Sequence, residues 1–404
     1  MTAPPLLIDW PVNTATGWGV FGLNLTLQLL RQGRHPALLM APDLADCSPV
    51  AQALLHQCVL EQQQLAGMLR QSGAGLDCAF PVLRGLDGNF QPHPVSTRVQ
   101  ARRNIGVLFF EDTTLPPEAL ERAARHQALI AGSGWNAELL RQRGLTNVHL
   151  IPQGIDPAAF HPGPRSGLLD QRFVVFSGGK LEFRKGQDLV VAAFRQFVRR
   201  HPDALLLAAW HNAWPATMTG IELTGHVKGL PRVDQAGRLL TGEWLVANGI
   251  PAGTFVEVGP LPNWAIAPLY RDADLALFPN RAEGGTNLVA MEAMACGVPA
   301  ILSSNTGHLD LVHPSRTFAL TRQAPVKGGC PLYRGYEGWG ESDVDEILAL
   351  MEAAYANRDE ARRRGQAAAA HMQAEWTWAK RVGELLEVVD GVAAPRPAPV
   401  QLRM

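Results

Sequence analysis

The chain has 404 residues, with 36 Lys and Arg against 37 Asp and Glu, a formal net charge of −1 and 47% hydrophobic residues. That length accommodates two domains of roughly 150–200 residues each, and the balance is that of an ordinary globular protein. There is no basic excess for nucleic acid, and residues 1–165 carry twelve Arg, no Lys and twelve acids, which is not a membrane-docking footprint, so membrane contact is peripheral at most. No uninterrupted apolar run approaches about 18 residues, and the first residues lack the charged and apolar regions of a secretion signal. The five cysteines (Cys47, Cys58, Cys78, Cys296, Cys330) have no metal-binding spacing. They read as reduced thiols of a cytoplasmic protein.

In chain order, the first half predicts strands near Leu6–Trp10, Pro36–Met40, Cys78–Leu83, Ile105–Phe110, Ala128–Ala131 and Val148–Ile151. Helical periodicity lies near Val20–Gln32, Val50–Leu69, Glu118–His126 and Asn136–Arg143. After the first strand, Gly17-Trp-Gly-Val-Phe-Gly22 fits the G-x-G-x-x-G pattern of dinucleotide binding, with Asp43 beyond it. In that fingerprint the first glycine directly follows the strand, whereas Pro11 to Thr16 intervene here, so a nicotinamide cofactor is not expected. Gly17 and Gly19 are instead candidates for close approach of another group to the backbone. At the carboxyl end of the fourth strand, Glu111 and Asp112 are placed to orient or deprotonate a hydroxyl; a helix cap or a solvated acid is the alternative reading.

Residues 152–167 are rich in Pro and Gly and predict a linker. The second half predicts strands at Phe173–Ser177, Ala204–Trp210, Thr254–Val258, Asp274–Phe278, Ala300–Ser303 and Thr317–Leu320, with helices between them and a long connection from His211 to Gly253. Closing helices are expected near Asp343–Ala356, Glu360–Gln373 and Trp376–Val389, and the Pro-rich tail around Ala393–Pro399 is expected to be flexible. Strands and helices alternating throughout argue for an α/β protein with parallel sheets covered on both faces.

Two segments carry chemistry. Gly178-Gly-Lys-Leu-Glu-Phe-Arg-Lys-Gly186 follows a strand and brings Lys180, Arg184 and Lys185 to a glycine-rich loop. About a hundred residues on, a strand leads into Glu283-Gly-Gly-Thr-Asn-Leu-Val-Ala-Met-Glu292 and on to Gly297. Gly285, Thr286, Asn287 and Leu288 then form a turn and helix start whose amides favour a phosphate, and Glu292 can accept hydrogen bonds from sugar hydroxyls. His308 follows the turn Ser303-Ser-Asn-Thr-Gly307, whereas His93, His126 and His211 have no context that singles them out.

These segments resemble the donor-sugar signatures of glycosyltransferase family four, whose members are retaining GT-B enzymes. Glu292 to Pro299 match that signature residue for residue. Its first acid departs, because eight residues, not seven, separate Glu283 from Glu292. Lys180 and Lys185 stand at the two cation positions of the family's diphosphate-binding element, with Lys replacing Arg at the first. The resemblance implies two Rossmann-like domains facing a cleft: residues 1–160 on the acceptor side, 161–375 binding the nucleotide sugar, a crossover helix at 376–390 returning to the first domain, and a tail at 391–404. It implies that Glu292 holds the ribose, that Lys180 and Lys185 neutralise the diphosphate, and that Glu283 contacts a sugar hydroxyl. Gly17, Gly19, Gly178, Gly179, Arg184, Gly285, Thr286, Asn287, Leu288 and His308 surround the donor, with Glu111 facing it. The implied partners are a nucleotide-diphosphate sugar and a hydroxyl-bearing acceptor, with no metal and no cofactor. A nucleotide-sugar epimerase and a phosphorylase of the same fold, and a non-catalytic nucleotide-sugar binder, are the competing readings.

Overall fold

Short apolar runs between turn residues become the strands, in the order the sequence has them. The computed structural model describes residues 4–73, 75–327 and 329–391; the Pro-rich tail lies outside the described residues. The first lobe runs β1 (Leu6–Ile8), α1 (Gly17–Arg31), β2 (Pro36–Leu38), α2 (Pro49–Gln71), β3 (Leu76–Cys78), β4 (Val82–Leu86), β5 (Val99–Ala101), β6 (Asn104–Leu108), α3 (Pro117–Ala124), β7 (Ala128–Ala131), α4 (Gly134–Gln142) and β8 (Val148–Leu150). Six of these strands form an all-parallel sheet in the order β2-β1-β4-β6-β7-β8. The expected strand at Cys78–Leu83 is two strands. Leu76–Cys78 pairs with Val99–Ala101 in a separate ribbon, and Val82–Leu86 enters the main sheet. Pro81 sits at the break, where it has no N–H to donate to a ladder.

The second lobe contains β9 (Phe173–Lys180), α5 (Gln187–Arg200), β10 (Ala204–His211), α6 (Thr241–Ala247), β11 (Phe255–Glu257), α7 (Ala267–Asp272), β12 (Leu275–Phe278), α8 (Leu288–Ala295), β13 (Ala300–Ser303) and β14 (Thr317–Leu320). A small hairpin of β15 (Gln323–Ala324) and β16 (Glu341–Ser342) follows, then α9 (Val344–Ala356), α10 (Arg358–Glu375) and α11 (Trp378–Gly391). Its sheet, ordered β11-β10-β9-β12-β13-β14, is also all parallel. β9 continues past Ser177 to Lys180 because β10 pairs with it as far as Lys180 opposite His211. Leu189, Ala193, Phe194 and Phe197, the predicted apolar face of α5, are all fully buried.

In each sheet the strand order reverses next to the first strand, leaving a crevice at the carboxyl edge where open α/β sheets bind ligands. Both crevices open toward each other. Two passages of chain cross between the lobes side by side: Ile155 N donates to Trp376 O at 2.7 Å and Trp378 N donates to Ile155 O at 3.0 Å. Beyond that crossing, α11 packs Trp378, Val382, Leu385, Leu386 and Val389 into the core of the first lobe, with Trp378 stacked on Phe21 at 5.4 Å.

Candidate functional site

Loops leaving the carboxyl ends of β1, β6, β9, β10 and β12 enclose a cleft cavity of about 430 Å³ between the lobes. Of the residues singled out by sequence, Gly17, Glu111, Gly179, Lys180, Arg184, Lys185, Glu283, Gly285, Asn287, Leu288 and Glu292 line it.

The cations come from the turn after β9, and each is already paired. Lys180 Nζ lies 2.5 Å from Glu182 Oε1 and 5.0 Å over the Trp214 ring. Arg184 reaches Glu182 at 2.8 Å, Glu283 at 3.1 Å and, across the cleft, Glu111 at 3.3 Å. Lys185 Nζ contacts Glu283 Oε1 at 2.5 Å. Burial works against ionisation of Glu283, yet Lys185 and Arg184 overcome it and hold its pKa at about 2. Burial pulls the Lys185 pKa down, with Glu283 opposing that shift. Arg184 is also desolvated, but Glu111, Glu182 and Glu283 raise its pKa well above the ordinary value.

Glu283, the expected sugar contact, is engaged by the neighbouring cations. It lines the cavity, but Oε1 accepts from Lys185 and Asn280 while Oε2 accepts from Arg184. Its backbone is pinned as well: its N–H donates to Thr306 Oγ1 at 2.9 Å, and its carbonyl accepts from Gly307 N at 3.0 Å. The extra residue of this turn sits where the second lobe touches the first. A Cβ at Gly284 would lie 2.7 Å from Phe110 O and 2.8 Å from Phe110 N, so only glycine passes there. On the same contact, Ser133 Oγ donates to Gly284 O at 2.7 Å.

Glu292 lines the same cavity. It is 4% exposed; Asn263 Nδ2 donates to Oε1 at 2.7 Å and Tyr270 OH to Oε2 at 3.0 Å. Burial raises its pKa to about 7, with the two donors opposing only in part. A carboxyl poised this way gains most from hydroxyl groups that donate to its charged form. Between Glu283 and Glu292, α8 begins at Asn287, which takes a left-handed φ of 65° and caps the helix by accepting from Ala290 N at 3.4 Å. The amides at a helix start have no intrahelical acceptor, and Leu288 and Val289 of that first turn face the cavity.

Four of the sequence-derived residues lie behind the cavity wall. Gly178 is buried within β9 against Phe176 and Val289. Thr286 is fully buried with its hydroxyl on Met291 Sδ at 3.0 Å. Gly19 does not belong to a loop, because α1 begins at Gly17. A Cβ at Gly19 would collide with the Asn13 side chain and one at Gly22 with Pro11 O, so these glycines seat α1 against the segment after β1. His308 is fully buried, with a pKa pushed down to about 4 by burial. Its Nε2 accepts from Asn287 Nδ2 at 3.1 Å and its Nδ1–H donates to Ser303 Oγ at 3.0 Å, which in turn donates to Asn280 O at 2.7 Å. His308 thus fixes the side chain that caps α8.

Asp112, paired with Glu111 in sequence, faces away from the cavity. It accepts from Arg334 N at 3.1 Å and Gly335 N at 2.9 Å, part of a strap between β15 and β16 that grips the first lobe. Trp339 Nε1 donates to Glu111 O at 2.9 Å in the same grip.

Sequence reasoning gave no role to Arg281, Glu182, Asn263, Tyr270 or Gln153. Arg281 is fully buried, donates to both oxygens of Asp188 at 2.8 and 2.6 Å, and pairs with Glu341. Asp188, His226 and Glu341 bring ligand atoms within 4.8 Å of one another, but Arg281 already holds both carboxylates as their counter-ion. Gln153 bridges linker and cleft by donating to Gly17 O at 3.2 Å. Glu182 was legible, as the acid set among three cations.

The model of a family described as "Family 4 Glycosyltransferase in conflict systems" matches residues 134–385. The chain belongs to this family. It is 25% identical over 245 residues to a GDP-mannose-dependent monoacylated alpha-(1-6)-phosphatidylinositol monomannoside mannosyltransferase of Corynebacterium glutamicum, covering 56% of this chain and 52% of that one. It is 28% identical over 295 residues to D-inositol 3-phosphate glycosyltransferase 1 of Catenulispora acidiphila, covering 63% and 66%. The matches therefore span between half and two thirds of these relatives. Among solved structures, sucrose-phosphate synthase of Thermosynechococcus elongatus superposes with a TM-score of 0.63 at 18% identity, over 97% of this chain and 100% of that one. HepE of Anabaena, in complex with UDP and glucose, gives 0.63 at 14% identity over 96% and 100%. The fold is GT-B: two parallel α/β lobes across a cleft, with the last helix returned to the first lobe.

Proposed function

We propose that the protein is a retaining glycosyltransferase that moves a sugar from a nucleotide-diphosphate sugar to a hydroxyl acceptor, in the cytoplasm and without a metal. The carrying observation is the line-up within one cavity of Glu292 with Asn263, the helix start at Leu288, and the cluster Lys180, Arg184 and Lys185. That set supplies acceptors for ribose hydroxyls, and amides and cations for the diphosphate that departs. Glu292 accepts the ribose hydroxyls. The first-turn amides of α8 meet a phosphate, and Lys185 and Arg184 stabilise the charge that grows on the diphosphate as it departs. Glu182 and Glu283 hold those cations in place before the donor arrives, so little reorganisation remains at the moment of reaction. In a front-face displacement the bond from sugar C1 to the phosphate oxygen breaks and the bond from C1 to the acceptor oxygen forms on the same face. The acceptor proton passes to the departing phosphate, and Glu111 orients the acceptor from the other lobe. We also place the division between acceptor-side and donor-side domains near residue 160.

Incubation with UDP-glucose and GDP-mannose tests this reading. The expected result is slow release of nucleoside diphosphate to water, accelerated by an acceptor, with α-linked product from the α-linked donor by NMR. Tight nucleotide-sugar binding without any turnover would make the protein a binder instead, and an inverted product would remove the front-face mechanism.

A further inference from the structure

The two faces of the cleft differ in charge. The three cations lining it, Lys180, Arg184 and Lys185, all stand on the second lobe, and each is already matched by Glu182, Glu283 or Glu111. The first-lobe face, formed by residues 14–20 with Phe109 and Glu111, has no Lys, Arg or His, and its one charged side chain is Glu111. All twelve arginines of residues 1–165 lie elsewhere. A phosphorylated or carboxylated acceptor entering here would face Glu111 with no cation on its own side. It would also approach a donor diphosphate that has claimed the opposite ones. Like charges in a cleft of restricted solvent access repel strongly.

The same face offers an aromatic platform. Trp18 is half-buried, its indole propped edge-on by Phe109 at 5.0 Å and by Trp10 at 5.4 Å, so it is held in place while it lines the cavity. A rigid indole takes the apolar ring face of a saccharide at small entropic cost. Beside it, Glu111 has Oε1 on Arg184 and Gly284 N, while Oε2 has no protein donor among the described residues and remains available to a hydroxyl.

We propose that the acceptor is an uncharged saccharide or glycoside, seated with a ring face on Trp18 and a hydroxyl on Glu111. This rests on the glycosyltransferase reading. The test compares acceptors that differ only by a phosphate, myo-inositol against D-inositol 3-phosphate and methyl glucoside against its 6-phosphate. Wild-type protein is used with UDP-glucose and GDP-mannose as donors, and release of nucleoside diphosphate without acceptor is measured in parallel. Neutral acceptors should exceed their phosphorylated partners at least tenfold in kcat/KM. Ala15→Arg, which adds a cation to the acceptor face at an exposed position, should narrow that ratio at least threefold. Trp18→Ala should raise the neutral acceptor's KM at least tenfold with a smaller change in kcat, and Trp18→Tyr should recover most of the loss. Donor leakage to water combined with equal or better use of phosphorylated acceptors overturns this inference and leaves the glycosyltransferase reading standing. Absence of leakage and of transfer with every donor overturns both.

Discussion

The Glu292 carboxyl links nucleotide binding to pH. With a pKa of about 7 in the empty site, roughly one carboxyl in eleven is ionised at pH 6 and ten in eleven at pH 8. If ribose hydroxyls bind the ionised form, the affinity of a nucleotide sugar should rise about tenfold between those values, or about 1.4 kcal/mol. The intact nucleotide sugar is the right ligand, because its diphosphate diester does not titrate in this window as a free nucleoside diphosphate does. Calorimetry in buffers of different ionisation enthalpy should record close to one proton released per ligand at pH 6 and almost none at pH 8. Glu292→Gln should flatten both trends and weaken binding at pH 8 by about 1.5–3 kcal/mol, the scale of hydrogen bonds to a charged group. The stability of the empty protein runs the opposite way. A carboxyl whose pKa rises on folding contributes stability in full below its unfolded pKa, and that contribution is lost as pH climbs through about 7. A wild-type affinity that does not change from pH 6 to pH 8, with no proton release, would refute the assignment of Glu292 to the ribose.

Lys185→Ala should lower kcat by about 10²–10³, because the ammonium matters most while the diphosphate gains charge; a variant that changes KM alone in steady-state transfer would make Lys185 a ground-state binder. Arg281→Met leaves Asp188 buried without its guanidinium and should cost about 3–5 kcal/mol in denaturant-induced unfolding. A loss below about 1 kcal/mol would mean that Glu341 and His226 suffice to hold that corner.

Most strands were legible because a parallel sheet covered on both faces demands apolar runs, and those runs stand out. Ala128–Ala131, Ala300–Ser303 and Thr317–Leu320 lie where the sequence puts them. Strand ends were harder to read, since β9 gains Gly178 to Lys180 only from pairing with a partner some thirty residues on. In the site, the residue types at Lys180, Lys185 and Glu292 follow from chemistry that requires a cation or an acceptor. Their direction does not: Glu283 reads in sequence as an acid beside a sugar, while the fold turns both its oxygens to cations. His308 and Thr286 sit in the right segments but point behind the wall, which local sequence does not encode. Asn263 and Tyr270 belong to a stretch without periodicity, and only the fold brings them to Glu292.

The return of α11 to the first lobe has a consequence for synthesis of the chain. Phe21 and its neighbours in that core are covered by Trp378 to Val389, so the first lobe cannot close its interior until those residues have left the ribosome. Elsewhere, domains fold in the order they are made. Here the second lobe, whose described strands and flanking helices all lie between Phe173 and Glu375, is free to finish first, and the first lobe waits with its apolar face open. A released chain truncated after residue 377 should therefore hold a protease-resistant second lobe beside a cleavable first one.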